Sequence, residues 1–494
     1  MTIGSTRAHR ARKARSWAGL VAPWYGAYAL AGLLVNGLVP VLLPLTAAPR
    51  GPLVVSTVVA AFFAGQLTAP LIGGFADRRG LQRVVFLGSF PVMAVGAVVL
   101  GLADQTGVWI GAAAVAGVAA GAAQTTASVF VVEGHPRQDW DRLIGWFRMV
   151  FGVGQVAGLL IGAIFANGRL ELGWIVSGAV ILVGTFVGRI GLPHLHRVDE
   201  PRRKAGVGRG RGVVDVLRSR FGVFLLTWLL AMIGVQTFLN LMPLVMREAF
   251  GVEPSTTAWL YLAGSVVGVV LYPVCGRIAE RRTVRFVLAI GLVANLIAFT
   301  LMAADLLLSE GSRGALAAVA LVSVAIAYPF DYIGATLMAA VLATDGGEGA
   351  AMGLFNCGVA AGAVIGILAA SPLAKSIGYE AIPPLAAVML FLALLVGARL
   401  LFGRPRATLP SVPRGGELDE QVLQAAQHEA RLILERVRRV QREVVPSRRQ
   451  PFECDRRLEP RQRGTDAEVD TQAEREMVTY VRPARVEPIW VGEH

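Results

Sequence analysis

Charge is scarce in this chain. Asp, Glu, Lys and Arg together make up 16% of its 494 residues, against 54% hydrophobic residues, and the mean hydropathy is +0.58. Water-soluble domains rarely combine such values, so the composition points to a bilayer protein. Cysteine is almost absent. Cys275, Cys357 and Cys454 stand far apart with neither metal nor redox spacing, which excludes a disulfide framework and a zinc site. The histidines form no cluster. The glycine-rich run from Gly206 to Gly212 lacks the Gly-Lys-Ser/Thr ending that a phosphate-cradling loop needs. An ATP-driven pump is therefore not expected, nor is an enzyme, and no cofactor or metal is called for.

The base that is present is unevenly placed. The net charge is +13, yet residues 403–494 hold 17 Arg against 16 Asp plus Glu. The excess thus sits among the first 402 residues, in short links between apolar runs. Such placement is the positive-inside pattern of a membrane protein, and it argues against a nucleic-acid partner. Apolar segments long enough to cross about 30 Å of hydrocarbon fall at 22–46, 52–76, 84–104, 107–132, 142–166, 172–191, 221–246, 256–276, 284–304, 314–343, 350–373 and 379–402. Arg7, Arg10, Arg12, Lys13 and Arg15 precede the first run. Its length and the lack of a small-residue cleavage site mark it as an uncleaved span rather than a signal peptide.

Arg78, Arg79, Arg83, Arg137, Arg142, the eight Arg or Lys between Pro193 and Arg220, and the cluster at Arg277–Arg285 fall on the side of the N-terminus. Both termini are therefore expected in the cytoplasm and the protein in the inner (plasma) membrane. One link departs from the rule: residues 343–350 carry Asp345 and Glu348 and no base.

The chain also repeats itself. Gly73-Gly74-Phe75-Ala76-Asp77-Arg78-Arg79-Gly80, with Arg83 following, has a weaker copy in Gly276-Arg277-Ile278-Ala279-Glu280-Arg281, displaced by 203 residues. Gly154, Gly158 and Gly162 recur as Gly358, Gly362 and Gly366, displaced by 204. Two features at nearly one offset imply a six-plus-six duplication, a device of transporters. The organisation expected is a basic N-terminus (1–21), a six-helix bundle (22–192), a basic Arg- and Gly-rich linker (193–220), a second six-helix bundle (221–402) and a tail (403–494). Within the tail, 417–445 reads as a helix with an apolar seam. It suits self-association, a cytoplasmic partner or anionic lipid, bound through Arg436, Arg438, Arg439 and Arg442.

The twelve spans, the offset, the long basic link and the glycine-and-charge loop together resemble the major facilitator superfamily. That family's loop motif runs Gly, any, Leu, Ala, Asp, Arg, any, Gly and then base; Gly73, Asp77, Arg78, Gly80 and Arg83 match it, and Gly276, Glu280 and Arg281 match its second copy. The resemblance covers about residues 20–402. It implies an all-α, alternating-access secondary transporter, with the two loops as a conformational gate and with efflux by proton antiport as the leading expectation. Two antiporter features of the family are missing: no proline stands in the fifth span, and no Arg stands between Val115 and Gly121 of the fourth.

Candidates for contact with solute or protons are the polar residues at membrane depth. Asp331 lies in Tyr328-Pro329-Phe330-Asp331-Tyr332 near the middle of the tenth span; an ionisable group there is a candidate proton carrier. Arg148 either snorkels to the surface, binds an anionic group or pairs with Asp331. Gln124, Thr125, Gln155, Gln236, Asn240 and Asn356 are neutral polar residues suited to lining a cavity or to bonding between helices, and Tyr328 and Tyr332 flank Asp331. The expected function is proton-coupled export of a hydrophobic or amphipathic solute. Uptake of a metabolite or anion is the alternative, and a membrane scaffold or sensor acting through the tail is the third reading.

Overall fold

Inside hydrocarbon every backbone N–H and C=O needs a partner within the protein, which an apolar run satisfies by coiling into a helix. The computed structural model describes residues 23–133, 140–192, 219–308, 313–342 and 348–402. Twelve helical spans in it are long and apolar enough to cross a membrane. They are, numbered one to twelve, Trp24–Arg50, Pro52–Ala76, Gln82–Leu102, Thr106–Phe130, Leu143–Phe165, Leu170–Arg189, Arg220–Phe250, Pro254–Arg281, Val284–Asp305, Ala315–Leu342, Ala351–Ser376 and Tyr379–Leu401. Among the described residues there is no strand. Leu71, Val95, Ile164, Phe186, Val270 and Leu395 are exposed on the outer faces, as side chains meant for lipid should be. Residues 405–494 form a separate unit; the tail helix expected there, like most of the basic linker, lies outside the described residues.

The duplication is visible in the packing. In the first half, span one packs on five and six, span two on four, and span three on four and six. In the second half, span seven packs on eleven and twelve, eight on ten, and nine on ten and twelve. Each pair in one list has its counterpart six spans later. The glycine ladders obey the same relation. Gly154, Gly158 and Gly162 face Ala29, Leu33 with Gly37, and Val41 of span one, while Gly358, Gly362 and Gly366 face Trp228, Met232, and Ile233 with Thr237 of span seven. Small residues here let two helix backbones approach closely, the main source of helix association in lipid.

The halves meet along span five against eight, span two against eleven, and the Val39–Ala47 segment of span one against seven. Exchanging the halves turns the first contact into the second and the third into itself. A two-fold relation of that kind places the seam, and anything bound in it, on the pseudo-axis.

Two local features depart from plain helix. Span one contains a π-helical segment, Leu33–Leu38, in which the Val39 N–H reaches back to the Leu34 carbonyl. Pro40 has no N–H to offer the carbonyl of Asn36, so the ladder re-registers before it. The loop after span two closes with Gly80 at φ 67°; its N–H and that of Leu81 both bond the Ala76 carbonyl, a left-handed cap that glycine adopts without strain. The second loop has no such glycine. There span eight ends at Arg281, and the Thr283 side chain accepts from the Phe286 N–H at 3.2 Å to cap span nine. We call the end of the bundle that carries these loops the hinge end and the other the far end.

Candidate functional site

Span five supplies the central cation. Its ladder glycines hold it against span one, which buries Arg148 to 6% exposure. The guanidinium Nη1 donates to the Tyr28 hydroxyl at 3.3 Å, and its carbon stands 4.2 Å from the centre of the Tyr332 ring. Tyr272 and Tyr328 stand near enough to act on its charge, so four of the chain's eight tyrosines share the neighbourhood of one arginine. Tyr28 stacks flat on Phe147, with ring centres 3.8 Å apart. Among the described residues no carboxylate makes an ion pair with Arg148. A buried cation without a counter-charge is costly, and face-on aromatic contacts return about 2 kcal/mol of that cost. Arg148 is therefore a buried seam residue, neither snorkelling nor paired with Asp331.

Two turns further along span five, Gln155 ties three spans together. Its Oε1 accepts from Asn36 Nδ2 of the π-helical segment at 3.4 Å, and its Nε2 donates to Ser265 Oγ of span eight at 3.1 Å. The bond to Ser265 crosses between the halves. On span eleven, Asn356 accepts from the Tyr332 hydroxyl at 3.4 Å. Asn356, Cys357, Gly358 and Val359 are only half-buried.

Asp331 sits one residue from Tyr332 but faces another way. It is fully buried between spans nine and ten, where Asn295 Nδ2 donates to its Oδ2. Its other oxygen lies over Gly291, which has no room for a Cβ. Both Asp331 Oδ1 and Asn295 Oδ1 lack a partner in the described structure. It lies off the seam, separated from the Arg148 cluster by the body of span ten.

The remaining candidates are dispersed. Gln236 and Asn240 bond to each other on span seven at 3.0 Å, both buried. Among the described residues Gln124 bonds only within its own helix, at the Ala120 carbonyl. Thr125 lays its methyl on Gly73, serving the packing of the hinge helix. At the hinge itself Arg78, Glu280 and Arg281 are exposed, Gly276 is buried in span eight, and the side chain of Asp77 lies outside the described residues. Sequence reasoning missed Tyr28, Tyr272, Asn36, Ser265 and Asn295.

The far end is closed. Asn167 Nδ2 of the link after span five donates to Ser255 Oγ at the start of span eight at 2.8 Å and approaches Glu253 Oε2 at 3.5 Å. At the hinge end Gly145 lies against Pro273 and Gly152 against Val269 and Tyr272. Among the described residues no comparable packing joins span four to span ten or eleven.

Comparison with known proteins agrees with this architecture. The nucleoside transporter NupG, in the crystal structure of a point mutant, superposes with a TM-score of 0.59 at 11% identity, covering 76% of this chain and 98% of that one; at this identity the likeness is one of fold. Two uncharacterized MFS-type transporters of Mycobacterium tuberculosis, MT1926 of strain CDC 1551 / Oshkosh and Rv1877 of strain ATCC 25618 / H37Rv, are each 37% identical over 98 residues. That match takes in 20% of this chain and 14% of the length of each relative. The profile of the Major Facilitator Superfamily matches residues 24–282 and 223–452. With twelve spans, duplicated packing and a seam on the pseudo-axis, the chain belongs to the Major Facilitator Superfamily of transporters.

Proposed function

We propose that this protein moves a small solute across the cytoplasmic membrane by alternating access, exporting an amphipathic compound in exchange for protons. The observation that carries the reading is the polar and aromatic cluster at the seam between two duplicated bundles. Solute bound there contacts span five of one half and spans eight and ten of the other, so rocking of the halves changes which end it faces. The hinge end, with its positive loops, is assigned to the cytoplasm. Closure at the far end then corresponds to an inward-facing state. The rings of Tyr28, Phe151, Tyr272, Tyr328 and Tyr332 suit the apolar body of an amphipathic solute.

Asp331 is the proposed proton carrier, with Asn295 as the partner that steadies it. The unpartnered Asp331 oxygen supports that role, because a proton taken up by the carboxyl turns a bare acceptor into a donor. Proteoliposomes with a trapped pH dye test it: a transported solute is expected to move protons with wild-type protein, and Asp331→Asn is expected to abolish the response to a pH gradient while retaining solute exchange. Unchanged gradient-driven transport in Asp331→Asn would remove Asp331 from the coupling. One observation favours a second reading, uptake of an anionic metabolite: the unpaired cation at the seam. The sign of the proton flux in the same assay separates uptake from export.

A further inference from the structure

We propose that the solute is a monoanionic organic acid with an aromatic or similarly flat apolar body, its carboxylate held by Arg148. This inference rests on the transporter reading above and names the class of solute for the same seam. Arg148 is 6% exposed; Tyr28 is its hydrogen-bond partner and Tyr332 its stacking partner, and no carboxylate of the described protein neutralises it. A guanidinium presents a planar fork of five N–H donors, and the Tyr28 contact occupies one nitrogen. The fork matches a carboxylate in two parallel hydrogen bonds.

Charge number narrows the class. A phosphate monoester carries close to two negative charges at neutral pH, and no second cation faces Arg148 within the described seam. A single carboxylate balances a single guanidinium. Tyr272 on span eight and Tyr328 on span ten give the apolar body of the solute aromatic surface to meet beside the cation. Length follows from span five. Gln155 is seven residues from Arg148, hence on the same helix face about 10 Å away. Its bonds to Asn36 and Ser265 mark where the far end of the solute exchanges hydrogen bonds with the protein.

The test uses full-length protein in nanodiscs and equilibrium binding of indole-3-acetate and 4-hydroxybenzoate, with their primary amides, the matched amines and phenyl phosphate as comparisons. Wild-type protein is expected to bind the carboxylates at least about tenfold more tightly than the amides, the difference that a charge-assisted pair of hydrogen bonds produces. Arg148→Gln is expected to remove that preference. Arg148→Lys keeps the charge without the fork, so it keeps part of the preference, and it serves if the Gln variant fails to fold. Equal binding of acid and amide, preference for the amines or for phenyl phosphate, or an unaltered preference in both variants would overturn the proposal. Flux of amides or amines with no advantage for acids overturns the anion assignment alone, and transport then stands. Selective carboxylate binding without exchange of any compound in proteoliposomes confirms the site and overturns the transporter reading.

Discussion

Gly154→Leu is expected to destabilise the folded bundle by about 3 kcal/mol or more, the upper range of over-packing. A Cβ at Gly154 would already overlap the backbone of Ala29, so the helices of spans one and five must separate before any longer side chain fits. That separation also draws Tyr28 away from Arg148, breaking the one hydrogen bond that orients the guanidinium among the described residues. Thermal denaturation in detergent should show a markedly lower midpoint, with solute binding weakened in whatever folded protein remains. Gly107→Leu is the matched control. No atom lies within 4 Å of a Cβ built at Gly107, so the same change there should leave the midpoint nearly where it was. Equal effects at the two positions would show that helix propensity, not the seam between spans, sets the outcome.

The second large effect concerns Asn295. Asn295→Leu leaves Asp331 fully buried with no side-chain partner, since Asn295 supplies its one side-chain hydrogen bond in the described structure. Removing one member of such a pair costs about 2 kcal/mol or more, whereas replacing both by apolar groups of similar shape is close to neutral. The double variant Asn295→Leu with Asp331→Leu should accordingly recover much of the stability that the single variant loses, a coupling readable by a double-mutant cycle. Proton coupling should stay absent in the double variant. Additive losses would mean that the two residues do not act as a pair.

Much of the fold was legible because bilayer physics is restrictive. A run such as 284–304 has no option but helix, and the offsets of the hinge loop and the glycine ladder revealed the duplication that the packing then displays. The site was less legible. Arg148 and Gln155 were visible as polar residues at membrane depth, but which face of span five meets which partner depends on the glycines at 154 and 158 docking on span one. Asp331 and Tyr332 are adjacent in sequence and differ by about 100° around a helix, so one faces Asn295 and the other Arg148. That divergence has no signature in composition. Thr125 looked like a cavity residue, yet its methyl fills the space beside Gly73, a contact made only when the hinge helix folds back on span four. Asn36 drew no notice because its exposure to Gln155 follows from the π-helical register ahead of Pro40.

The central claim is that the two halves must part at the far end for solute to cross. Asn167 and Ser255 bond across that gap at 2.8 Å. The direct measurement is solute exchange by an Asn167→Cys, Ser255→Cys protein, in a background with Cys275, Cys357 and Cys454 replaced by alanine, before and after joining the new thiols with a short bis-methanethiosulfonate linker. Exchange that stops on linking and returns on reduction is the predicted result. Full exchange through the linked protein would contradict alternation of the two halves about this seam.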